Sequence, residues 1–187
     1  MTTLAISTSS PALSIALVDG PKVLARHHDV IGRGHAEALV PRVAALLAGR
    51  RPDRILVDVG PGSYTGIRIG IAAARALGLA WGVPVHGLSA LALVAAQAFA
   101  SDPALACVWA LIDAGRGQVA GARLGPDLLA GGHGLVAGPA DDGVALAGAG
   151  AALWGRAALH GDHPDAAMAG RVPAAALLPP QALYAGD

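Results

Sequence analysis

The residues best suited to chemistry lie in Gly60-Pro61-Gly62-Ser63-Tyr64-Thr65-Gly66. Its glycines allow positive φ, and Ser63 and Thr65 can cap a helix start whose free N–H groups attract phosphate or carboxylate. Gly60, Gly62, Ser63 and Thr65 are therefore candidate anion or nucleotide ligands. Three familiar glycine motifs are excluded. No Gly-Lys-Ser/Thr follows, the spacing is not that of the dinucleotide fingerprint, and Pro61 rules out a hydrolase nucleophile elbow around Ser63. A strand-to-helix turn without any ligand satisfies the same residues.

The elements that must position this turn are legible on both sides. Before it, Arg54 to Val59 is a short apolar, β-branched run that reads as a buried strand. After it, Gly66, Gly70, Ala74, Gly78 and Gly82 recur every four residues and form a small-residue ridge along one helix face. Each interior glycine costs about 1 kcal/mol against alanine, so the ridge implies close approach of another backbone. That backbone is either the sheet of the same chain or a helix of a partner. Ile67, Ile69, Ile71, Leu77, Leu79 and Trp81 make the helix apolar nearly all round, broken by Arg68 and Arg75.

Upstream, Leu4–Ile6 and Leu13–Val18 read as strands around a polar turn, and Asp19-Gly20 predicts a hairpin into a third strand, Lys22–His28. A helix follows over about His35–Ala48, with Gly49 as its stop and Pro41 predicting a kink or a later start. The Arg50, Arg51, Arg54 cluster reads as a solvated helix C-terminus. Val83–His86 predicts a strand and Ser89–Phe99 a helix capped by Ser89. This order implies a mixed sheet flanked by helices. Ser101-Asp102-Pro103 opens a second half, with strands at Cys107–Asp113 and Gln118–Leu124. LAISTSSPALSIALV and LIDAGRGQVAGARL share a strand, turn and strand layout, which implies two degenerate copies of one unit, 1–102 and 103–187. Val144–Ala147 reads as a strand, Ala151–Leu159 as a short helix, and Pro173–Asp187 as a loosely ordered tail. His160-Gly161-Asp162-His163 reads as a surface loop rather than a metal site.

Composition narrows the function classes. The 13 basic and 13 acidic residues cancel, so a stand-alone nucleic-acid binder is disfavoured. Cys107 is the one cysteine and reads as a core residue, with no disulfide framework available. The apolar run Leu88–Ala100 falls short of the roughly 20 residues a membrane span needs, and no leader pattern is present. The expectation is a soluble, cytoplasmic protein with no membrane association.

LAISTSSPALSIAL, GHAEALVP (34–41), GPGSYTGIRIG (60–70), GLSAL (87–91) and IDAGRGQV (112–119) together resemble the bacterial TsaB (YeaZ) family, in order and spacing over about the first 125 residues. The resemblance implies an α/β, actin-like (ASKHA, RNase H-like) fold of two related halves with mixed sheets flanked by helices. It implies a role in threonylcarbamoylation of the adenosine beside the anticodon of tRNA. The family member there is a dimerisation subunit: it pairs with a TsaD-type paralogue that carries the metal and the transfer chemistry, and a TsaE-type ATPase joins. It meets tRNA only through the complex. The partner contact is similar to a bundle of the first two helices of each subunit, which nominates His35, Leu39, Val43, Leu46, Gly66, Arg68, Gly70, Ala74, Leu77 and Gly78 as partner-binding. ATP or ADP is expected, if anywhere, at the subunit boundary, with no intrinsic cofactor, and a homodimer is expected when the chain is alone. Ser7 stands where the family usually has Asp, and a neutral hydroxyl is a weaker Mg²⁺ ligand than a carboxylate. His35 with Glu37 resembles one piece of the paralogue's metal motif but lacks its second histidine; Glu37 also suits a helix first turn. No catalytic or metal-binding residue is therefore assigned.

The competing reading is an actin-like ATPase or small-molecule kinase, using the Gly60–Gly66 turn for phosphates and Asp113, at the matching strand end of the second half, for metal. Asp113 also fits an ordinary turn. A peptidase would need a nucleophile and base pair or a ligand cluster, and the sequence offers neither.

Overall fold

The computed structural model describes residues 1–129, 134–138, 143–158 and 163–184. The first sheet is built from β1 (Thr2–Ser7), β2 (Ala12–Asp19), β3 (Lys22–Val30), β4 (Arg54–Asp58) and β5 (Val85–Leu88), in the order β3-β2-β1-β4-β5. β2 runs antiparallel to both β1 and β3, while β4 and β5 run parallel to β1. Residues 35–47 form α1 (His35–Leu47) and 64–81 form α2 (Tyr64–Trp81), joining the parallel strands; α3 (Ala90–Ser101) leaves β5. β1, β2 and β4 are buried along nearly their whole length, which is why they read as continuous apolar runs and not as alternating ones.

A second sheet, β8-β7-β6-β9, comprises β6 (Val108–Gly115), β7 (Gln118–Leu124), β8 (Gly134–Val136) and β9 (Ala145–Ala147). β7 lies antiparallel between β6 and β8, and β9 runs parallel to β6. Its order and directions repeat those of β3-β2-β1-β4. Two such sheets, with α3 between them and α1 and α2 on the other face of the first, make the actin-like α/β fold. α3 sits at the centre: its residues from Ala90 to Ala98 are almost all buried, because it is apolar on every side and packs in one core with β1, β4, β6 and β7.

Several local expectations need correction. α1 begins at His35 despite Pro41, since Gly34, in the left-handed region at φ 87°, turns the chain into the helix. Its end is an Ala48 in the left-handed region followed by Gly49, and Arg50 donates to the Leu46 and Leu47 carbonyls. The helix expected at 151–159 is a 3-10 helix over Ala149–Trp154; Leu159 and His160–Asp162 lie outside the described residues. Cys107 is half-buried, and its thiol accepts from the Arg123 guanidinium. The segment expected as a loose tail docks on the first sheet: Leu178 pairs with Gly87, and the Leu183 N–H donates to the Val59 carbonyl at 2.8 Å.

Candidate functional site

The parallel strands β1, β4 and β5 end together at the Gly60–Gly66 turn, the place where open α/β sheets leave a crevice. The turn is laced to the β1–β2 connection. Ser63 N–H donates to the Ser9 carbonyl at 2.6 Å, and the Thr8 hydroxyl donates to the Gly66 carbonyl at 2.7 Å. Ser63 caps α2 by accepting from Gly66 N–H. Gly60 N–H donates to Asp58 Oδ1 at 2.8 Å. The amides of Gly60, Ser63 and Gly66 are thus satisfied within the chain, which corrects the expectation of an open phosphate cradle along the whole turn. Gly60 is buried, and an added Cβ there would sit 2.5 Å from the Leu183 carbonyl and 2.7 Å from Ile67 Cδ1. Only Ser63, Tyr64 and Thr65 face outward.

Asp58, which the sequence reading passed over, anchors this arrangement. Its carboxylate is fully buried and accepts from Ser7 Oγ at 2.6 Å, Ser9 Oγ at 2.5 Å and Gly60 N. Burial pushes its pKa above the ordinary value, and the three hydrogen bonds oppose that shift. The available signal was a single acid closing an otherwise apolar strand, since a buried charge needs partners. Ser7 is one of those partners, so its hydroxyl is committed within the chain.

The small-residue ridge faces inward. Gly66, Gly70, Ala74 and Gly78 are buried, with Gly70 against the Thr8 hydroxyl and Val57, and Gly78 against Val85. His35, Leu39 and Val43 are buried under α1 in the same way, while Leu46 and Leu77 are half-buried. This corrects the nomination of these residues as a contact surface: they hold α1 and α2 on the chain's own sheet. Arg68 is exposed, and its guanidinium lies 4.4 Å from the Tyr64 ring centroid. Tyr64 stacks on Tyr184 at 5.1 Å, and Arg75 donates to the Pro180 carbonyl at 2.7 Å.

Besides Glu37 on α1 and Tyr64, Thr65, Arg68 and Arg75 on α2, the two helices turn outward Ala36, Val40, Pro41, Ala44 and Ala45 on α1 and Ala72, Ala76, Leu79 and Ala80 on α2. Leu79 is 87% exposed and Val40 49%. Beside this face, a cleft of about 560 Å³ opens between the starts of α1 and α2, lined among others by Arg33, His35, Glu37, Ser63 and Thr65. Asp113 lies elsewhere. It lines a smaller cavity of about 200 Å³ with His163, across Ser10 and Pro11, and its Oδ1 accepts from Gly115 N at 2.7 Å as a turn acid does. The structure therefore separates Asp113 from Ser63 and Thr65. Among the described residues no cluster of three or more metal-ligating side chains occurs, and no helix is long and apolar enough to cross a membrane.

Known proteins are similar to this chain in sequence and fold. The family model described as TsaD, tRNA N6-adenosine threonylcarbamoyltransferase, matches residues 21–145. The tRNA threonylcarbamoyladenosine biosynthesis protein TsaB of Bacillus subtilis is 36% identical over 124 residues, 64% of this chain and 53% of that protein. The protein of the same name from Escherichia coli is 36% identical over 126 residues, again 64% and 53%. The chain thus spans about half the length of these curated relatives. The solved structure of YeaZ from Pseudomonas aeruginosa superposes with a TM-score of 0.73 at 32% identity, covering 89% of this chain and 87% of that one. Matched by the family model over two thirds of its length and by the YeaZ structure over most of it, the chain belongs to the TsaB (YeaZ) family.

Proposed function

We propose that this protein is a non-catalytic subunit in the making of threonylcarbamoyladenosine in tRNA, pairing through the outward faces of α1 and α2 with a TsaD-type transferase. A TsaE-type ATPase completes the assembly, tRNA is met only through it, and any ATP or ADP sits at the subunit boundary. Residues 1–102 carry the pairing face and 103–187 the reduced second copy. The observation that carries the reading is the exposure of small and apolar side chains, Val40 and Leu79 above all, on the outward faces of both helices, which also carry Glu37, Arg68 and Arg75. Exposure of apolar side chains on two adjoining helices favours an interaction site. It also favours a homodimer when the partner is absent. Support for the non-catalytic part comes from Ser7, whose hydroxyl is tied to Asp58 and leaves the end of β1 without a carboxylate for metal-bound water.

The test is size-exclusion chromatography with light scattering, on this chain alone and mixed with the TsaD-type paralogue of the same genome, with and without ATP. A homodimer exchanging into a one-to-one heterodimer is expected. Leu79→Glu and Val40→Glu are expected to weaken the heterodimer at least about tenfold, as desolvating a new charge at an interface does, while the melting temperature of the isolated chain stays unchanged. A heterodimer undisturbed by both substitutions would overturn this face as the contact.

A further inference from the structure

A groove of about 410 Å³ runs beside α2, between its Arg68 and Arg75 and the returning tail. Its middle is apolar, with Ile71, Ala72 and Ala182, and Tyr184 forms part of the far wall. The docked tail therefore builds the groove, since α2 alone presents a convex surface. The two guanidiniums are held in place without being neutralised. Arg68 lies over the Tyr64 ring, which stacks in turn on Tyr184, and Arg75 donates to the Pro180 carbonyl. Neither has a carboxylate within ion-pair distance among the described residues. A guanidinium carries five N–H donors in a planar fork, so most of each fork has no partner within the chain. The two arginines are seven residues apart, which sets them about 10 Å apart along the helix axis.

We infer that this groove receives an acidic segment of the protein partner that pairs with α1 and α2, with two carboxylates about 10 Å apart, one on each guanidinium, and an apolar side chain between them on Ala72 and Ala182. Charge complementarity sets the sign of the occupant, and the apolar middle sets its class. Two cations give little hold on a phosphate backbone, whose affinity grows with the number of phosphates neutralised, whereas a peptide side chain fills the apolar middle. Tyrosine and arginine are also the residue types that dominate binding energy at protein interfaces. Leu79, four residues past Arg75 on the same side of α2 and 87% exposed, makes the groove continuous with the pairing face. The identity of the partner rests on the pairing reading, and the chemistry of its segment rests on the groove.

The test has two arms. In the first, calorimetric titration measures the affinity of the full chain for the TsaD-type paralogue at low and at high salt. Arg68→Glu and Arg75→Glu are each expected to weaken it about tenfold at low salt and less at high salt, and Arg68→Lys to keep part of the affinity that Arg68→Glu loses. Arg75→Glu also gives up the bond to Pro180, so Arg68→Glu, which loses only a ring contact, separates charge from any loosening of the tail. In the second arm, the isolated chain is titrated with a synthetic helical peptide bearing two glutamates about two turns apart on an alanine and leucine face, following the amides of Ala72, Arg75 and Ala182 by NMR. The same peptide with glutamines and a single-stranded oligouridine serve as controls. Saturable shifts with the glutamate peptide alone, abolished by Arg68→Glu, are expected. The inference falls if the two peptides bind alike, or if the oligonucleotide binds more tightly than either. A heterodimer untouched by Arg68→Glu but broken by Leu79→Glu overturns the groove and keeps the pairing face. A chain that binds the glutamate peptide but not the paralogue supports the groove and overturns the pairing reading.

Discussion

Asp58 shows how one side chain can set the geometry of a turn. Its carboxylate ties together Ser7 at the end of β1, Ser9 in the β1–β2 connection and the Gly60 amide, all without contact with solvent. Asp58→Ala would leave two hydroxyls and one amide buried without a partner, and is expected to cost about 2–4 kcal/mol in urea unfolding. The sign of its pH dependence follows from the raised pKa. The folded chain holds this proton more tightly than the unfolded one, so its contribution to stability is fully present below the ordinary 3.8. That contribution declines as pH rises through 3.8 to the raised value. Asp58→Asn, which cannot titrate, is expected to remove that decline from the pH profile of the unfolding free energy.

At the scale of elements, α2 is shaped for the sheet beneath it. An alanine at Gly70 would place its Cβ 2.5 Å from the Thr8 hydroxyl, and one at Gly78 would collide with the Val85 side chain. Four-residue spacing aligns these positions on one face, and the missing side chains let the helix lie close to β1, β4 and β5. The roughly 1 kcal/mol that each glycine costs the helix is offset by that packing. Gly70→Leu is therefore expected to unfold the isolated chain, or lower its stability by at least about 3 kcal/mol, as overpacking does. Circular dichroism melting of the chain without any partner checks this. A folded Gly70→Leu monomer that fails only to pair would mean that the ridge faces outward after all.

For the molecule as a whole, residues 163–184 close the structure by returning to the first sheet. Asp165, almost fully buried, pairs with Arg26 of β3 at 2.7 Å and accepts from Ser14 of β2, whose hydroxyl oxygen lies 2.9 Å from His28 Nδ1. Gly170 rests against the Asp19-Gly20 hairpin. Burial holds the His28 pKa below its ordinary 6.5, with Arg26 and His163 acting in the same direction and Asp165 and Asp29 opposing. A depressed histidine contributes stability that is fully present above 6.5 and lost as pH falls through its lowered value. The melting temperature is accordingly expected to drop between pH 7 and pH 5, and His28→Gln is expected to flatten that drop. A wild-type profile level across this range would show that the clasp does not sense the His28 charge.

The sequence by itself determined the elements whose signals are local. Apolar β-branched runs gave β1, β2 and β4, Asp19-Gly20 gave the hairpin, Ser89 started α3, and the shared strand-turn-strand layout announced the second sheet. The Gly60–Gly66 turn and its neighbouring motifs were sufficient to reach the family. Which way the faces point was decided only by tertiary structure. A small-residue ridge has the same spacing whether it meets its own sheet or a partner, and α2 is apolar on too many sides for periodicity to choose. The same limit hid the pairing of Asp58 with Ser7, 51 positions apart, and the docking of residues 163–184 on β2 and β3. It also hid the meeting of Arg33 and His35 with Thr65 in one cleft while Asp113 lines another. These juxtapositions depend on strand order and crossover connections, and a chain carries no local record of which distant residues its sheet will bring side by side.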